Sequence, residues 1–184
     1  MRITKNEIEN FVAGVFYENF NSVFKENHIF YEHYDVSDNY LRRKAAHQKF
    51  IPAILQPISR FDRNVLSKRD VIALVIACLK DPSNVKKVLE WQEYKPHEYV
   101  ELTLACGKVI GSGIVLGTDW NETHYFSNIC VVLKSSIKGN NLFEIVTAYP
   151  VPDLDQSDRC WKARSRWARA HKNKRLTDIK RHSH

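Results

Sequence analysis

Apolar positions follow near-helical spacing through the first half of the chain and spacing two through the second. Thr4 with Glu7 three residues on matches a capping box, and Ile8, Phe11, Val12, Val15, Phe16, Phe20, Val23 and Phe24 follow at helical intervals. His28 to Tyr34 is aromatic and polar without a clean period. Ser37 reads as the N-cap of a second helix through Leu41 and Ala45, and Pro52 and Pro57 interrupt the chain before Ser59-Arg60-Phe61. Ser67, with Asp70 in the first turn, caps a third helix whose buried face is Val71, Ile72, Leu74, Val75, Cys78 and Leu79. Asp81-Pro82 stops it, and a short fourth helix carries Val85, Val88, Leu89 and Trp91.

From Tyr99 the pattern alternates: Val100, Leu102 and Leu104 against Tyr99, Glu101 and Thr103. A glycine-punctuated strand follows over Val109–Leu116, then one over Tyr125–Lys134. The loop holding Gly139-Asn140-Asn141 leads into Leu142–Tyr149, which reads as the second arm of an antiparallel hairpin. Pro150 and Pro152 end that strand. Helices first and strands second predict an α+β fold, with N-terminal helices packed on a C-terminal antiparallel sheet. In the last strand, period two puts Phe143, Ile145, Thr147 and Tyr149 on one face, two apolar side chains followed by two hydroxyls. On composition alone plain β-propensity is the better account of that row, since Thr and Tyr both favour sheets.

The chain has 184 residues, enough for one domain or one domain with an appendage, and its 43% apolar and 11% aromatic content supports a packed core. Its net charge of +7 is unevenly distributed. Residues 158–184 hold ten Lys/Arg against two Asp, a charge of +8. Residues 1–157 hold 18 Lys/Arg against 19 Asp/Glu, a charge of −1. The basic character therefore lies in the tail. Cys78, Cys106, Cys130 and Cys160 are widely spaced without a CxxC pair, which argues against a zinc site or a disulfide framework. No leader pattern opens the chain, and no apolar run approaches the ~20 residues of a membrane span. The expectation is a protein of the reducing cytosol, with no cofactor, no metal and no membrane insertion. Gly107, Gly111, Gly113 and Gly117 are not at phosphate-loop spacing and read as turns or bulges.

His33 lies between the first two helices, with Tyr31 and Tyr34 beside it and the basic run Arg42-Arg43-Lys44 after it. RNA cleavage without a metal needs a base for the 2′-hydroxyl, an acid for the leaving 5′-oxygen and a cation for the phosphorane. Histidine suits both proton transfers because its reference pKa is ~6.5. His28, His47, His97 and His124 are spare candidates, and the default for each is a surface or structural role.

Further residues carry a resemblance: His33 with Ser37-Asp38, Leu41 and Lys44, then Ser59-Arg60-Phe61, the helix from Ser67, and Trp91. Val109-Ile110-Gly111, Cys130-Val131-Val132-Leu133 and the closing Ile145-Val146-Thr147-Ala148-Tyr149-Pro150 extend it. Over roughly 28–152 the chain resembles the bacterial RNase A-like toxin domain. That leaves residues 1–27 as an N-terminal helix and 153–184 as a basic tail. The resemblance implies an RNase A-like fold and a metal-independent endoribonuclease of bacterial competition that cuts RNA, tRNA in particular. It further implies a cognate immunity or antitoxin protein, action in the cytoplasm, and delivery from another cell within a larger secreted toxin. The family's usual histidine, arginine, threonine and tyrosine carry over to His33, the Arg42–Lys44 run, Thr147 and Tyr149. At the family spacing the cation falls on Lys44, and the nearest arginine is Arg43. Only one of three consecutive helical side chains can face a given site. The chain begins at its own Met1 without a delivery domain, which favours an excised toxin domain or a stand-alone toxin paired with an antitoxin.

The tail interleaves Trp161 and Trp167 with cations, and Lys162, Arg166 and Arg169 fall on one helical face. Together with Arg42, Arg164 and Trp167 they are the candidate RNA-binding residues, since cations beside stacking aromatics suit an RNA backbone. Two other readings stay open. One is a non-catalytic RNA-binding or antitoxin-type module on the same fold. The other is a tRNA nuclease on a different small scaffold.

Overall fold

Side-chain caps set where the helices begin. In the computed structural model, Thr4 and Glu7 form the reciprocal box: Thr4 N donates to the Glu7 carboxylate at 2.7 Å, and Glu7 N donates to Thr4 Oγ1 at 3.3 Å. The residues described are Thr4, Asn6, Glu7 and Asn10, then 26–47, 57–94, 99–115, 123–135 and 143–152. Most of the expected N-terminal helix, the Gly139-Asn140-Asn141 loop, His97, the His47 side chain and the whole tail lie outside them.

Helices α1 (Glu26–His33) and α2 (Asp38–His47) precede the first described strand. Ser37 Oγ accepts from Tyr40 N at 3.2 Å, so the expected N-cap is present. The segment without a clean period is helical after all. Only Ile29 and His33, four residues apart, are buried along it, so one narrow stripe replaces a broad apolar face. Strand β1 (Ile58–Phe61), which its four residues were too short to announce, is followed by α3 (Lys68–Lys80) and α4 (Pro82–Tyr94). Ser67 and Asp70 form a complete capping box on α3. Asp81 ends α3 and caps α4, its carboxylate accepting from Ser83 N and Asn84 N, with Pro82 in the first helical position. On α3, Val71, Val75, Ile76, Cys78 and Leu79 are buried, whereas Ile72 and Leu74 are half-buried at the margin.

The strands β2 (Val100–Ala105), β3 (Gly111–Ile114), β4 (His124–Phe126), β5 (Asn128–Ser135) and β6 (Phe143–Val151) form two sheets with β1, not one. The orders are β1-β3-β4 and β2-β5-β6, with all ladders antiparallel. The strand expected over Tyr125–Lys134 divides at Ser127. There Phe126 O accepts from Ile110 N at 2.8 Å, while Ser127 O accepts from Cys106 N at 2.9 Å. Adjacent carbonyls are thus claimed by the start of one sheet and the end of the other. The last strand also runs past Pro150 to Val151. Proline lacks the N–H that an interior strand needs, but β6 is an edge strand and tolerates it.

Helices α3 and α4 pack on one face of β2-β5-β6, enclosing Leu102, Ile129, Val131, Leu133, Phe143, Ile145 and Ala148 with Val75, Leu79 and Val88. Helix α1 packs on β6 and β1, and α2 on β1 and β3. The two sheets meet where β1 lies against β6. Ser59 Oγ donates to Pro150 O at 2.6 Å, and a Cβ at Gly111 would fall 2.1 Å from Arg60 O and 2.5 Å from Pro150 Cγ. Only glycine lets the sheets approach this closely. Among the described residues no helix is long and apolar enough to cross a membrane.

Candidate functional site

A β-bulge builds the site. Val132 pairs with Thr147, but Leu133 pairs with Ile145, so Val146 is an extra residue on β6. Alternation is offset by one from that point. Phe143 and Ile145 point into the main core with Ala148, whereas Tyr149 clusters with Cys130 and Val132 on the opposite face. Thr147, paired with Val132, shares that face. The expectation of one face for Phe143, Ile145, Thr147 and Tyr149 is therefore wrong. The bulge separates the apolar pair from the hydroxyl pair, and strict period two does not anticipate it. Towards β2 the hydroxyl face opens to solvent at Glu101 and Thr103.

His33, the last residue of α1, stands over this face. Its ring centroid lies 5.4 Å from that of Tyr149, tilted 30°. The imidazole is 8% exposed, and its Nδ1 lies 2.9 Å from Ser59 O. A carbonyl can only accept, so Nδ1 carries the proton and Nε2 keeps its lone pair. Burial lowers the His33 pKa to about 4, against the opposing pull of the Ser59 hydrogen bond. Lys44 and His28 add to the lowering and Glu32 opposes it. The ring is thus neutral at physiological pH, with a fixed tautomer and an available base. Thr147 Oγ1 is buried and lacks a hydrogen-bond partner, an arrangement that costs free energy unless something completes it. Burial pushes the Tyr149 hydroxyl well above the usual phenol range, and burial also raises the neighbouring Cys130 thiol to about 12.

Of the basic run, Lys44 is the member turned toward His33. Its Nζ lies 2.6 Å from a Glu32 carboxylate oxygen that also accepts from Tyr40 Oη at 2.5 Å. These bonds, that to Lys44 first, bring the Glu32 carboxyl down to about 2. Arg43 is exposed, with Nε 3.4 Å from Asn39 O one turn back. Arg42 lines a small hollow with Asp38, Leu41, Gly113, Ile114 and Thr123 that includes neither His33 nor the β6 hydroxyls. Arg60 is committed to structure. It pairs with Asp38 at 2.7 Å and donates to Val36 O, clasping the α1–α2 turn where Asp35 adopts a positive φ of 55°.

The structure therefore brings His33, Lys44, Thr147 and Tyr149 to one region and leaves Arg42 and Arg43 at its margin. Lys162, Arg164, Arg166, Trp167 and Arg169 lie outside the described residues. His124, on β4, is half-buried and pairs with Gly113 of β3. Sequence reading missed Glu32 and the Ser59 carbonyl. The first reaches Lys44 across twelve residues, and the second acts through its backbone, so neither leaves a local motif. Among the described residues, no three His, Cys, Asp or Glu side chains gather as a metal site requires.

Residues 27–150 match the family described as the bacterial CdiA-CT RNAse A domain. Among solved structures, the chain is similar to the CdiA-CT/CdiI complex from Y. kristensenii 33638. The TM-score is 0.52 and the identity 17%, covering 68% of this chain and 99% of that one, which establishes a common fold. A further similarity, 28% identical over 120 residues, is to the N-acetyl-gamma-glutamyl-phosphate reductase of Streptococcus gordonii strain Challis. It covers 56% of this chain, which spans about a third (35%) of that relative's length.

Proposed function

The chain belongs to the bacterial CdiA-CT RNase A domain family, a family of ribonuclease toxin domains, and on that premise we propose that it is a metal-independent endoribonuclease. The reaction is transesterification of RNA, tRNA in particular, to a 2′,3′-cyclic phosphate and a 5′-hydroxyl. The observation that carries this reading is the His33 ring lying against Tyr149, on the β6 face that the bulge at Val146 gives to Thr147 and Tyr149. In it, His33 Nε2 takes the 2′-hydroxyl proton, and the new imidazolium is held in place by Ser59 O. Lys44 supplies positive charge to the phosphorane as a point charge, without the two-pronged grip of arginine. Thr147 and Tyr149 donate to phosphate oxygens, and the phosphate completes the unpartnered Thr147 hydroxyl. The basic tail, with Arg42, grips the RNA backbone.

The same reading includes a protein inhibitor, suggested by the similar fold solved as a CdiA-CT/CdiI complex, and delivery into the target cytoplasm within a larger toxin. Purified protein should cleave tRNA or total RNA in excess EDTA and leave 2′,3′-cyclic phosphate ends. Activity lost with chelator and restored by Mg²⁺ refutes the mechanism. The alternative, a non-catalytic RNA-binding or antitoxin-type module, draws on Lys44 standing in the family's arginine position and on its ion pair with Glu32. Growth arrest on expression, abolished by His33→Ala, separates the two.

A further inference from the structure

The proposed cleavage needs an acid as well as a base, and His33 cannot be both in one step. Once it has accepted the 2′-proton it has none to give the leaving oxygen in concert. Lys44 Nζ is engaged by the Glu32 carboxylate at 2.6 Å. Tyr149 is 4% exposed, and its side chain hydrogen-bonds Cys130. Neither is placed to give up a proton to the leaving oxygen. One further titratable ring stands at the site. His28 lies on α1, five residues before His33, and its ring meets that of His33 edge-on with centroids 5.7 Å apart. It is exposed, whereas His33 is buried.

Resting on the reading above, we infer that His28 is the general acid of this site and His33 its general base. The pairing of one buried and one exposed imidazole divides the two roles by environment. The buried ring stays neutral and accepts, while the exposed ring is open to water. Among the described residues, the charged and titratable groups that face His28 include Glu32, on the same helix, and His33. Lys44 of α2 and Tyr149 of β6 face that His33–Glu32 pair. In the step, His33 Nε2 removes the 2′-proton as the 2′-oxygen bonds to phosphorus. The bond from phosphorus to the 5′-oxygen breaks, and the His28 imidazolium protonates that oxygen. Solvent then returns a proton to His28 and removes one from His33.

The experiment compares two versions of one RNA at its mapped cleavage site, with an ordinary 5′-oxygen or a bridging 5′-sulfur. A thiolate leaves without being protonated, so only the oxygen substrate needs the acid. His28→Ala should lower kcat/KM for the oxygen RNA by ~10²–10⁴-fold and leave the sulfur RNA within about threefold of wild type. His28→Gln, which keeps a polar side chain but cannot titrate, should behave like His28→Ala. Equal loss on both RNAs, or no loss on either, overturns the assignment. His33→Ala, run beside it, should depress both substrates. If it spares both, the base assignment fails, while the oxygen-to-sulfur ratio for the His28 variants still decides the acid.

Discussion

Replacing His33 with glutamine should make the protein's stability less sensitive to acid, because the native imidazole resists protonation. Burial depresses its pKa from 6.5 to about 4. The unfolded chain therefore takes up a proton first as pH falls, so this residue's contribution is fully present above pH ~6.5 and gone below about 4. One pKa unit corresponds to ~1.36 kcal/mol, so the gap is worth roughly 3 kcal/mol at its low-pH limit, a large share of a small domain's stability. Glutamine cannot titrate, and its amide can still donate to Ser59 O. The assay is urea unfolding of both proteins at half-unit steps from pH 8 to 3.5. The wild-type minus variant difference should be flat above pH 6.5. Between 6.5 and 4 it should fall by up to ~1.4 kcal/mol per pH unit, then level out. Other carboxylates titrate in both proteins and cancel in that difference. Parallel curves for the two proteins would refute a neutral, buried His33, and with it the tautomer that exposes Nε2. The same pKa places the acid limb of kcat/KM near pH 4 rather than 6.5.

Thr147→Val should raise stability by about 1 kcal/mol, since it removes an unpartnered buried hydroxyl at nearly constant shape, and lower cleavage ~10²-fold. Urea midpoints and kcat measured on one preparation check both halves, and a variant that is both less stable and fully active contradicts them. Lys44→Ala and Arg43→Ala should differ in kcat by at least ~10², with Lys44 the costly one. Equal mild losses would mark the run as a plain exposed basic face. Truncation after Pro152 should leave the domain folded and chiefly raise KM for a long RNA, because remote cations bind ground and transition states alike. The salt dependence should flatten by ~0.7 in slope for each contact removed. Unfolding on truncation, measured by circular dichroism, or loss of dinucleotide cleavage would assign the tail to the core or the site.

The local parts of this protein were legible because they rest on chemistry within a few residues of one another. The capping box at Thr4, the N-caps at Ser37 and Ser67, the stop at Asp81-Pro82 and the buried stripe of α3 all follow from neighbours three or four apart. The α+β class followed from the change of period at Tyr99, and Cys78 and Cys130 proved to be free and buried. The motif residues His33, Lys44, Thr147 and Tyr149 could be named before their arrangement was known. Their arrangement is a tertiary matter. No periodicity within Phe143–Val151 reveals that Val146 is extra, because a bulge is defined only against the partner strand, here at Val132 and Leu133. Nor does the run Arg42-Arg43-Lys44 say which cation turns inward. That depends on Glu32 and Tyr40, which meet Lys44 only when α1 and α2 pack. The division of Tyr125–Lys134 between two sheets, and the depression of the His33 pKa, arise the same way. Each is set by carbonyls and apolar surface supplied from distant parts of the chain, and burial is a property that a residue acquires only from the fold around it.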